Sequence, residues 1–186
     1  MAADIDIINS ALSKLGEQPI LALTDPSEPA RLANRTYDNI RDAMLREFPW
    51  NFATRRAALA ASTTVPVWEY VRSFPLPADC LRLILVQNES DSEWRLEGMS
   101  IVTSLAAPLN IKYIARVEVD MMDSAFRDVL AARLAMEWAE PLAQTSTVVA
   151  SMSRMYTNKL QVARAADGQE DRQKLIESSS FIDARF

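Results

Sequence analysis

The apolar residues of this chain change their spacing twice, and that switch limits the fold more than any other feature. Up to Phe48 they recur every three or four positions, the period of one helix face; through the middle they alternate; after Met122 the helical spacing returns. A pattern with a period of about 3.6 leaves a pleated strand with its apolar groups on both faces, and a period of 2 scatters them around a helix. The expected class is therefore α+β, mostly α: a helical bundle with an inserted small antiparallel β subdomain and an extended C-terminal arm. Residues 1–67 read as N-terminal helices of the bundle, 68–117 as the inserted subdomain, 118–168 as C-terminal helices of the bundle, and 169–186 as the arm.

Residues 4–15 carry Ile5, Ile8, Leu12 and Leu15 on one helical face. Gly16 then offers a left-handed stop and Pro19 blocks resumption. A longer helix is predicted over 28–47, with Ser27 as N-cap, Pro29 in the first turn and Ala33, Tyr37, Ile40, Met44 and Phe48 as its buried stripe. Pro49 ends it by holding Phe48 extended. Trp50 and Phe52 read as an anchor that pins the chain to the core, and Arg55 to Ala61 as one or two further helical turns. Residues 63–67, containing Pro66, read as a linker.

Alternation predicts strands from Tyr70 to Leu76, from Leu81 to Val86 and from Ile111 to Arg116, and a hairpin joining Trp94–Leu96 to Met99–Val102 through Glu97-Gly98. Further on, Phe126, Leu130, Leu134 and Trp138 step by four, with Asp123 or Ser124 as cap, alanines at close-packed positions and Pro141 as the stop. A last helix begins near Thr145 or Ser146, with Val149, Met152, Tyr156 and Ala163 as its stripe and a break expected at Gly168. Val148, Val149, Met152 and Met155 make more than one of its faces apolar, so it is either sandwiched in the bundle or packed on another subunit. A polar stretch and a serine run lead to Phe181, Ile182 and Phe186, an apolar tip expected to dock on a partner or fold back.

Composition narrows the chemistry. The chain has no histidine, one cysteine and three glycines. Ser-His-Asp and Cys-His catalysis, histidine metal sites, a structural zinc site, an internal disulfide and glycine-rich phosphate loops are all excluded. Cys80 reads as a small buried thiol. A pair of acids can still serve a glycosidase, and Glu89, Asp91 and Glu93 are the candidates, although their polar loop, where solvent leaves all three ionised, favours a solvated cluster over a catalytic one. The net charge of -5 disfavours general DNA binding. Arg55 and Arg56 fit contact with DNA or an acidic partner, or a structural role. The N-terminus lacks a signal-peptide pattern and no apolar run is long enough to span a membrane, so assembly in a cytoplasm is expected.

Several passages stand in order along nearly the whole chain: Ile8-Asn9-Ser10-Ala11-Leu12-Ser13-Lys14-Leu15-Gly16-Glu17-Gln18-Pro19-Ile20; Tyr37 to Leu45 leading to Pro49-Trp50-Asn51-Phe52-Ala53; Phe74-Pro75-Leu76-Pro77-Ala78-Asp79-Cys80-Leu81-Arg82; Leu96-Glu97-Gly98 with Ile111-Lys112-Tyr113-Ile114; the helix Phe126 to Trp138; and the serine-rich end with Phe181. Together they resemble the head-to-tail adaptor (tail tubular protein A) family of short-tailed bacteriophages. The resemblance implies a non-catalytic virion protein of the head-tail junction, assembled in the bacterial host cytoplasm. It implies a homo-oligomeric ring, commonly dodecameric, bound beneath the portal protein, with the tail nozzle protein at its outer end. It implies further that double-stranded DNA passes through the ring without sequence-specific binding and that no cofactor is needed, and neither a metal nor a membrane is expected. Residues 169–186 would face the portal, with Phe181, Ile182 and Phe186 as apolar portal-binding contacts and Arg185 as a charged one. Two other readings stay open: a tail-associated polysaccharide or cell-wall hydrolase using carboxylates, and a small non-viral interaction domain.

Overall fold

The computed structural model describes residues 2–87, 93–143 and 145–170. Among them the fold is α+β and mostly α, in the order helices, short strands, helices. Helix α1, Ala2–Leu15, ends as the sequence requires. Gly16 takes φ 78°, the Gly16 amide bonds the Ser13 carbonyl (3.2 Å) and the Glu17 amide the Leu12 carbonyl (3.0 Å), which is a Schellman stop. Helix α2 is Glu28–Glu47; the Ser27 hydroxyl accepts from the Ala30 amide at 3.3 Å and Phe48 is extended ahead of Pro49.

Helix α3, Ser124–Trp138, is the centre of the bundle and packs against α1, α2 and α4, the last being Ser146–Glu170. It is buried nearly all round: Phe126, Leu130, Leu134 and Trp138, as the spacing predicts, with Val129, Ala131, Ala132 and Ala135 beside them. Alanine at those positions lets neighbouring helices approach closely. The Asp123 carboxylate caps the helix by accepting from the Ala125 amide at 2.7 Å, and the Trp138 indole donates to the Thr36 hydroxyl at 3.0 Å, tying α3 to α2. Past Trp138 the chain widens into a π-helical turn, Ala139–Ala143, so Pro141 sits inside a loosened coil where its missing amide is tolerated.

Among the described residues the strands form two antiparallel sheets. In the first, β1 (Thr54–Leu59), β6 (Leu109–Ala115) and β3 (Cys80–Val86) lie in that order, and β3 and β6 pack on α2. In the second, β2 (Arg72–Pro75), β5 (Ser100–Thr103) and β4 (Trp94–Glu97) lie in that order. The β4–β5 turn is Gly98-Met99, one residue later than the expected Glu97-Gly98, because Glu97 pairs with Ser100; Gly98 has φ 58° while Met99 stays at negative φ, the pattern of a type II′ hairpin.

Three further sequence expectations change. Arg55 to Ala61 is not helical: residues 54–59 are β1, paired residue for residue with β6 from Thr54↔Ile114 to Leu59↔Leu109. Helix propensity of alanine and arginine is worth only tenths of a kcal/mol per residue, and a complete ladder outweighs it. The strand expected to start at Tyr70 starts at Arg72, because residues 68–70 form a turn. Gly168 does not break the last helix: α4 runs through it to Glu170, held where the Asn51 amide donates to the Asp167 carboxylate (2.9 Å) and the Asn51 side-chain amide to the Asp167 carbonyl (2.7 Å).

The Trp50 anchor forms as expected. Its side chain is 2% exposed, its indole N–H donates to the Met44 carbonyl at 3.1 Å, and its ring meets Phe126 edge-on with centroids 5.0 Å apart. Phe52 also meets Phe126 at 5.0 Å, so the end of α2 is bolted to the start of α3 by an aromatic cluster.

Candidate protein-interaction surface

The first feature is an apolar turn between β1 and β2. Val65, Val67, Trp68 and Val71 are exposed by 59%, 99%, 78% and 55%. An indole left that open in water gains nothing from the fold itself, and contiguous exposed apolar groups mark contact surfaces. The turn is nevertheless held. The Tyr70 amide bonds the Trp68 carbonyl at 2.8 Å and Glu69 between them has φ 70°, a γ-turn of the rare positive-φ kind. Tyr70 is buried (7% exposed) on the far side of that turn. The Ser62 amide bonds the Ser73 carbonyl (2.7 Å), and the Arg72 guanidinium donates to the carbonyls of Ser104 (3.0 Å) and Leu105 (3.1 Å). Burying Tyr70 and clamping Arg72 thus force Val67 and Trp68 outward.

The second feature lies on the outer face of the β1-β6-β3 sheet. Arg56 pairs across with Lys112, Ala58 with Asn110, and Leu85 flanks Lys112 from β3. With Gln87 these side chains border a shallow depression of about 480 Å³. Its floor is apolar and its rim carries two cations that make no ion pair among the described residues. The strand geometry explains why adjacent arginines differ. Arg55 points to the opposite face from Arg56 and reaches the Asp79 carboxylate at 3.3 Å, which also accepts from the Tyr113 hydroxyl. Arg55 is therefore structural and Arg56 faces outward. Burial, with the Asp79 charge second, raises the pKa of both the Cys80 thiol and the Tyr113 phenol, so both stay protonated at neutral pH.

A second depression, of about 600 Å³, lies between α1, α2 and the connector after α1. There the Tyr37 hydroxyl donates to the Asp4 carboxylate at 2.9 Å, and Arg41 sits over the Tyr37 ring while pairing with Asp38 and Asp42. Burial, then the bond to Asp4, pushes the Tyr37 pKa far above the ordinary phenol range. Its charged groups satisfy one another.

Of the residues singled out from the sequence, Glu89 and Asp91 lie outside the described residues. Glu93 is exposed, and its backbone carbonyl accepts from the Thr103 hydroxyl at 2.9 Å. Phe181, Ile182, Arg185 and Phe186 also lie outside the described residues, beyond the α4 end that Asn51 fastens to the start of β1. In α4, Met152 is buried and Val148, Val149 and Met155 pack on the core, which favours the bundle reading of its second apolar face; Val162 stands out at 68% exposed. Among the described residues no three potential metal ligands cluster and no helix is long and apolar enough to cross a membrane. The Val65–Val71 turn was missed as a surface because its residues read as linker and strand. The available signal was Val65, Val67 and Trp68 beside Pro66 with no periodic partners. No protein-family model matches the chain, and no curated protein matches it.

Proposed function

We propose that this chain is a structural subunit of a phage head-to-tail junction, a ring-forming adaptor between portal and tail nozzle through which DNA passes. The observation that carries the reading is the clamped apolar turn at residues 65–71, which presents Val67 and Trp68 to a partner from a backbone fixed at both ends. A contact surface on a rigid element suits a protein whose work is assembly. The ordered resemblance of six passages supplies the identity of the assembly. A net charge of -5 repeated around a ring would discourage DNA from adhering to the channel. The arm at residues 169–186 is the proposed portal contact, through Phe181, Ile182, Arg185 and Phe186.

The test is cryo-electron microscopy of the full chain mixed with its portal. A ring seated beneath the portal, with the C-terminal segment against it, is expected. Removing residues 176–186 should leave the circular-dichroism melting curve in place and abolish attachment; a truncated chain that still binds portals would end the arm assignment.

A further inference from the structure

We infer that the Val67-Trp68-Glu69 turn of one copy of this chain seats in the Arg56–Lys112 depression of the next copy. This names the subunit contact of the proposed ring and rests on that reading.

The two surfaces are distinct, since no residue of the turn borders the depression. They are also complementary in kind. The turn offers two exposed apolar side chains followed by one carboxylate, and Glu69 makes no ion pair among the described residues. The depression offers an apolar floor that includes Ala58 and Leu85, under a rim of Arg56 and Lys112. Val67 and Trp68 would cover the floor while Glu69 lies between the two cations. Two other depressions among the described residues do not match. Near Tyr37 the one cation, Arg41, is already held by Asp38 and Asp42. Beside α4 the charged lining residue is Glu140, which would repel Glu69.

The turn is also prepared for the task. With φ at Glu69 fixed at 70° and Tyr70 buried, little backbone freedom is left to lose on docking. Tryptophan in such a position is the residue type whose truncation most often dominates an interface. A contact between two different patches of one surface is heterologous, and heterologous contacts run head to tail, giving a ring where the rotation closes and an open filament where it does not.

The experiment uses the full chain, with self-association read by sedimentation velocity over a concentration series and by imaging on portals. Trp68→Ala should weaken association by about 30-fold or more. Melting should be unchanged, since the side chain is 78% exposed. Glu69→Lys and Lys112→Glu should each weaken it by about tenfold or more, because each sets like charges together. The double variant Glu69→Lys/Lys112→Glu should recover most of the loss. If rings form on portals and Trp68→Ala rings form equally well, the contact is wrong and the adaptor reading stands. If Trp68→Ala weakens association but the charge exchange rescues nothing, Trp68 docks elsewhere and the pairing is overturned. A wild-type chain that stays monomeric with and without portal removes both.

Discussion

Two tryptophans of this chain should respond very differently to the same substitution. Trp50 is 2% exposed, donates to the Met44 carbonyl at 3.1 Å, and has Phe48 and Phe126 within 4.9 and 5.0 Å, centroid to centroid. Replacing a buried aromatic of this size by alanine costs about 3–5 kcal/mol, the transfer of the ring plus the cavity it leaves. The edge-on ring contacts, each worth about 0.5–1.5 kcal/mol beyond burial, put Trp50→Ala toward the upper end. That is a third or more of the roughly 5–15 kcal/mol that holds a domain folded. Trp50→Phe retains most of the packing and loses the indole donor, for an expected loss of about 1–2 kcal/mol. Trp68→Ala removes a side chain that is 78% exposed and should stay within about 0.5 kcal/mol of wild type. Urea unfolding followed by circular dichroism reads all three: the midpoint should fall for the Trp50 variants with the slope unchanged. A loss under about 1 kcal/mol for Trp50→Ala, against that core range, would refute the claim that the aromatic cluster fastens α2 to α3. So would equal losses at the two positions.

Glu69→Gly should raise stability by about 0.5–1 kcal/mol, since relief of the positive-φ strain exceeds the entropy cost of glycine; thermal unfolding would show it as a few degrees. Gly168→Ala should stabilise by up to about 1 kcal/mol, because a Cβ there meets open space inside α4. Gly16→Ala should destabilise by about 1 kcal/mol at its φ of 78°; paired denaturant curves decide both. Tyr37, with its pKa raised by burial and by Asp4, contributes stability that is complete below about pH 10, where the unfolded phenol titrates, and is lost as pH rises toward the folded value. Stability measured along an alkaline series should therefore decline, and Tyr37→Phe should flatten part of that decline, with Tyr113 supplying another part.

Wherever the determining interaction is local, the residues sufficed. The Gly16 stop, the Ser27 cap, the Pro49 end of α2, the four-residue steps of α3 and the Gly98 hairpin each depend on groups a few positions apart, and each is in place. Period alone also separated the helical ends from the stranded middle. The strand at Thr54–Leu59 was not legible, because its partner Leu109–Ala115 lies some fifty residues away and local propensity points to helix. The same pairing divides Arg55 from Arg56, and only the register shows which of two neighbouring cations meets Asp79 and which meets solvent. Gly168 stays helical because Asn51 grips the helix from across the fold. The Trp68 turn shows where sequence patterning stops. Hydrophobicity marks a side chain as needing cover, and at Trp50 the chain supplies it from α3. At Trp68 a buried Tyr70 and a clamped Arg72 turn the indole outward, and that direction is set by contacts between segments distant in sequence.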